Sequence, residues 1–209
     1  GTRVVEHDNA KVPTACTNGR DEWYGAGFVD GLTDAEFRGL VLHENYHKLY
    51  RHLTTWQHLH KIDPDLSNRA IDYVINIKIM DEYGKDGWVK LPEGGCFDEK
   101  YRGWDTAQVF WDLHDNEPQG EDGRGPGNGD VTGDDPNQGL DSHEWEGATE
   151  MDAEEIRDLA RDIDEAVRQG ALVAGKMGSG GDLGLEELLQ PQVNWREALR
   201  EFIQTTCAG

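Results

Sequence analysis

Residues 68–79 read NRAIDYVINIKI, a strongly apolar helical run interrupted at every fourth position by Asn68, Asp72 and Asn76. Residues i, i+4 and i+8 share one face of a helix, so the three form a single polar stripe on a segment that otherwise belongs in a core. A buried polar stripe is costly unless something satisfies it. The fold must therefore bring a partner to that face: a loop or helix end that it hydrogen-bonds, or a second helix carrying groups that share an ion with it. Pro64 at the front and Gly84 at the back set the expected limits of this helix.

The candidate neighbour is LTDAEFRGLVLHENYHKLYRHL, residues 32–53. Thr33 with Glu36 three residues on forms a capping box, and Leu32 and Phe37 stand at staple positions, so a long helix is expected to start here. Inside it lies His43-Glu44-x-x-His47. Histidines at i and i+4 point the same way and can aim ring nitrogens at one ion, while Glu44, rotated by about 100°, sits beside that ion where it can take a proton from water. The bland alternative is a helix with two unconnected histidines.

Zinc needs a third protein ligand. His52 follows His47 by five positions and faces away from the pair on an unbroken helix, so it reads as an outer partner or a surface residue. The metzincin spacing, with a glycine between and a third histidine six residues after the second, is absent. Asp72 lies 25 residues after His47, enough for the chain to turn and return antiparallel, with Asn68 and Asn76 orienting ligands from behind. Asp72 is the preferred third ligand. His143, two residues after Asp141, is the alternative: a substitute ligand, a donor to the oxyanion of a tetrahedral intermediate, or a surface histidine in an acidic patch.

Ahead of the helices, residues 3–32 read as short strands with turns at Asp8-Asn9 and Asn18-Gly19, a small antiparallel sheet. After them, a helix is expected from about Thr106 with Asp105 as its cap. Residues 117–140 are crowded with Gly, Asp and Pro and are read as a flexible acidic loop. A long helix from about Thr149 and a helix after Pro191 follow. The net charge of −22 argues against a nucleic-acid or anionic membrane partner, and no apolar run reaches transmembrane length. Three widely spaced cysteines, with no Cys-x-x-Cys, point to a reducing compartment and to a metal held by His and carboxylate.

The motif at 43–47 with its later His52, the run NRAIDYVIN, Asp-x-His-x-Trp after an acidic Gly-rich stretch and PQVNWREALREFI occur in this order. Together with VPTACTNG near the start, they resemble the bacterial and phage putative metallopeptidase domain often found beside a von Willebrand A-like domain. The resemblance implies a cytoplasmic protein of zincin-like fold, a zinc-dependent peptidase activity on a peptide or protein substrate, and site residues at His43, Glu44, His47, Asp72 and His143. It also implies a von Willebrand A-like or ATPase partner in trans. No such segment follows here, which suits a fragment or a stand-alone form.

The expectation is one α+β domain: a zincin-like core over 1–116, the loop at 117–140, and a helical C-terminal part over 141–209. Zn2+ would bind His43, His47 and Asp72, with Glu44 as general base and His143 assisting. The rival is a metal-stabilised module without turnover that docks a basic partner.

Overall fold

The computed structural model describes residues 2–5, 12–116 and 151–176. It is an α+β molecule, mostly helical. Three short strands, β1 (Thr2–Val5), β2 (Ala15–Thr17) and β3 (Glu22–Gly25), form a sheet in the order β1-β3-β2. The expected antiparallel pairing holds for β2 and β3, which align Ala15 with Tyr24 and Thr17 with Glu22. Their turn is closed by Asn18, whose side-chain oxygen accepts from the backbone N–H groups of Arg20 at 2.9 Å and Asp21 at 2.7 Å. β1 differs from expectation. It lies on the far side of β3 and runs parallel to it, so the sheet is mixed. Parallel neighbours need a long return connection, and the chain between them, which includes β2, is long enough to make one.

Short helix α1 (Ala26–Gly31), in a stretch read as strand, precedes the expected long helix, α2 (Asp34–Leu49). The capping box is formed: the Thr33 N–H donates to Glu36 at 2.8 Å and the Glu36 N–H to the Thr33 hydroxyl at 3.4 Å. The Thr33 hydroxyl also donates to the Glu36 carboxylate at 2.6 Å, and this hydrogen bond first, then the one from the Thr33 N–H, holds the Glu36 carboxyl below its ordinary value. Two short helices follow, α3 (His52–Thr55) and α4 (Gln57–His60).

Next comes α5 (Pro64–Tyr83), with Pro64 in its first turn and the Asp63 side chain accepting from Leu66 N–H at 3.0 Å. Gly84 ends it, but not as a left-handed cap. Its φ is −77°, and its need for glycine is spatial, since a Cβ there would lie 2.6 Å from the Met80 carbonyl oxygen. A 3-10 turn at Glu99–Tyr101 leads to α6 (Thr106–Asn116). Asp105 caps α6 as expected, accepting from Gln108 N–H at 2.8 Å while Gln108 accepts from Asp105 N–H at 2.9 Å. α7 (Ala153–Lys176) begins a few residues later than expected, at an Asp152–Glu155 capping box.

The chain divides into two compact units, 1–156 and 157–209; the described part of the second is the remainder of α7. In the first unit, α5 is the central strut. Leu66, Ala70, Tyr73 and Ile77 join Val109, Phe110 and Leu113 of α6 in one apolar cluster. Ile71, Ile75 and Ile79, each 0% exposed, join Tyr46, Leu53 and Val89 in a second. The sheet packs on α2 through Ala15, Tyr24 and Leu40. Gly39 of α2 lets the next layer close: a Cβ there would lie 2.1 Å from the Lys90 carbonyl oxygen.

The polar stripe on α5 therefore runs between two apolar faces and is turned toward α2. The acidic loop at 117–140, His143 and the helix after Pro191 lie outside the described residues. Among the described residues, no helix is long and apolar enough to cross a membrane.

Candidate metal centre

His43 and His47, one turn apart on α2, bring their Nε2 atoms to 2.9 Å of each other. Asp72 of α5 places Oδ1 3.6 Å from His43 Nε2 and 3.5 Å from His47 Nε2. The two helices run in opposite senses here, so that His47 faces Asp72 while His43 faces Asn76. Nitrogen and oxygen ligands about 2.0–2.2 Å from a tetrahedral zinc would stand roughly 3.3 Å apart, and the three measured separations fall around that value. The donor set, two imidazoles and one carboxylate, is of the kind zinc accepts, and the carboxylate offsets part of a dication's charge. All three side chains are buried, at 5%, 0% and 1% exposure. Among the described residues, they are the group of metal-binding side chains close enough together to hold an ion.

Asn76 determines how His43 presents itself. Its amide N–H donates to the Cys96 carbonyl at 3.0 Å, so its amide oxygen is the atom that meets His43 Nδ1 at 2.8 Å. His43 must then carry its proton on Nδ1 and offer Nε2 as a lone pair toward His47 and Asp72. Asp72 and Asn76 thus supply two members of the expected stripe; Asn68 is half-buried one turn earlier.

Glu44 is 0% exposed. It shares a helix face with Lys48 at i+4, and Lys48 forms an ion pair with Glu22 of β3. That face is therefore turned to the sheet. The Tyr24 hydroxyl donates to Glu22 at 3.1 Å. Burial first, and then the negative charges of Glu22 and Glu44, push the Tyr24 phenol far above its ordinary value, which keeps it protonated. The face of α2 toward α5 thus carries the metal-type ligands, and the face toward the sheet carries a fully buried carboxylate one residue from His43.

A family model described as "Putative metallopeptidase domain" matches residues 2–209. The chain belongs to this family. No curated protein and no solved structure matches it. The metallopeptidase assignment and the His43–His47–Asp72 cluster agree on one point: the domain is of a kind that works with a metal ion, and it has a place to put one.

Two features of this domain escape a reading of the motif alone. Lys48 and Tyr24 converge on Glu22, which is 2% exposed, and nothing in the spacing of these residues signals the pairing. The second is His52. The expectation of an unbroken helix with His52 facing away does not hold, because α2 stops at Leu49 and Arg51 adopts a left-handed conformation, φ 52° and ψ 39°. His52 is turned inward and its ring packs against that of His47.

Proposed function

We propose that the chain is a zinc-dependent, zincin-like peptidase, with His43, His47 and Asp72 as ligands and Glu44 as general base. The observation that carries this reading is the convergence of three buried ligand atoms from two helices, with a buried glutamate next to the first histidine. Zinc, when bound, supplies Lewis-acid polarisation of the peptide carbonyl and lowers the pKa of water. Asn76 keeps His43 in the tautomer that presents Nε2. Glu44 takes a proton from the attacking water as its oxygen bonds to the carbonyl carbon. It then delivers that proton to the amide nitrogen as the C–N bond breaks.

An extended peptide would enter beside residues 14–19, pairing along the outer edge of β2 by strand addition. His143 is the proposed donor to the developing oxyanion. A von Willebrand A-like or ATPase partner in trans rests on the family resemblance, and a reducing, cytoplasmic setting suits the buried thiols of Cys16 and Cys96, which form no disulfide.

The test is elemental analysis combined with peptide hydrolysis. Wild type should hold about one zinc per chain, lost in His43→Ala and in Asp72→Ala. Glu44→Gln should keep the zinc and lower kcat by about 100- to 10,000-fold. Zinc retained in Asp72→Ala would transfer the third-ligand role to His143. Undiminished cleavage by Glu44→Gln would refute the mechanism, whereas a wild type that holds zinc but cleaves no peptide would favour the non-catalytic module.

A further inference from the structure

We propose that His52 is a positioning residue for His47, presented by the left-handed turn at Arg51, and that it sets how tightly the centre holds its metal. The inference rests on the metal-centre reading above. Among the described residues, Arg51 is the non-glycine residue with positive φ. Side chains other than glycine seldom adopt that conformation, and it persists where the surroundings fix it, often at functional sites. Its effect is specific. It ends the α2 segment and starts α3 at His52, which turns the His52 ring back toward the centre.

His52 is 4% exposed. Its ring stacks on Tyr50, with centroids 5.6 Å apart and planes at 15°. It meets His47 in a T-shaped contact at 5.4 Å and 82°. His47 in turn meets His43 at 4.6 Å and 68°. Four rings are thus packed in series, Tyr50, His52, His47 and His43, and these separations fall in the favourable range for aromatic pairs. A ligand imidazole that packs against a fixed neighbour has less freedom to turn about its own axis, so its Nε2 lone pair stays aimed at Asp72 and His43. Residues behind the ligands are worth large factors in metal affinity for this reason. His52 acts on the metal through His47.

The experiment measures zinc affinity of the full chain by chelator competition, the d–d spectrum of the Co2+-loaded protein, and thermal unfolding of the metal-free form. His52→Ala should weaken zinc binding by about tenfold and shift the Co2+ bands, and His52→Phe, which keeps both ring contacts, should restore wild-type affinity. Arg51→Gly, at ease with positive φ, should bind as wild type does, while Arg51→Val should weaken binding as His52→Ala does. A His52→Ala protein whose metal-free form melts lower but whose zinc affinity and Co2+ spectrum are unchanged would overturn the inference, leaving His52 with packing alone. If His52→Ala does not fold, equal affinities in Arg51→Gly and Arg51→Val would overturn it instead. Zinc bound by wild type and unaffected by these changes sinks this inference only; no zinc on wild type sinks the metal centre with it.

Discussion

At the scale of single residues, the site is built from side chains whose roles depend on a second side chain behind them. Asn76 is the clearest case, because its amide faces His43 in one orientation only, fixed by the Cys96 carbonyl. Asn76→Ala should therefore weaken zinc binding by about 10- to 100-fold, measured by chelator competition. Asn76→Asp, which keeps an acceptor toward His43 Nδ1, should recover much of that loss. The residues legible in the sequence were those whose placement follows from helical spacing. His43 and His47 are four apart, and Asp72 and Asn76 share that interval on the facing helix. For His52 the sequence left an outer partner and a surface residue both open and its direction was misread, because that direction depends on one backbone angle at Arg51, an arginine that carries none of the signals glycine or asparagine would give. Glu22 was not legible either, since its partner Lys48 comes from another element 26 positions along.

At the scale of elements, α5 carries two duties. Ile71, Ile75 and Ile79 fill the cluster shared with α2, and its stripe faces the histidines between that cluster and the one shared with α6. Ile75 is 0% exposed and precedes Asn76, so Ile75→Ala should destabilise the fold by about 2–5 kcal/mol in urea unfolding and also loosen metal binding. A lost side chain on the solvent side of α2 should do neither. The start of α2, both limits of α5 and the start of α6 were readable because caps are local: an acceptor side chain, a proline or a glycine within a few residues decides them. β1 and α1 were misread for the opposite reason. Whether a four-residue strand lies parallel or antiparallel is decided by the path of a long connection, and α1 is too short for periodicity to distinguish it from turn and strand.

At the scale of the whole molecule, the centre joins α2 to α5 and so ties the sheet-bearing half of the first unit to the α6-bearing half. Metal binding to the folded form alone should then raise stability. At zinc about 100-fold above its Kd the gain is about 2.7 kcal/mol, and chelation by EDTA should lower Tm accordingly in wild type but not in Asp72→Ala. The α+β class and the pairing of the two long helices were visible from periodicity and capping. The mixed sheet was not, since it depends on contacts between distant parts of the chain.

The stripe on α5 also bears on how such a chain can change over generations. Asp72 and Asn76 are 1% and 2% exposed, flanked on the same helix by isoleucine and tyrosine. A descendant that lost His43 and His47 together would keep a carboxylate and an amide in a dry interior with their shared neighbours gone, a burden on folding even where the chemistry was no longer needed. Loss of the two histidines would therefore be tolerated best alongside changes at Asp72 and Asn76 on the facing helix. The fold itself acts as a ratchet that retains the site.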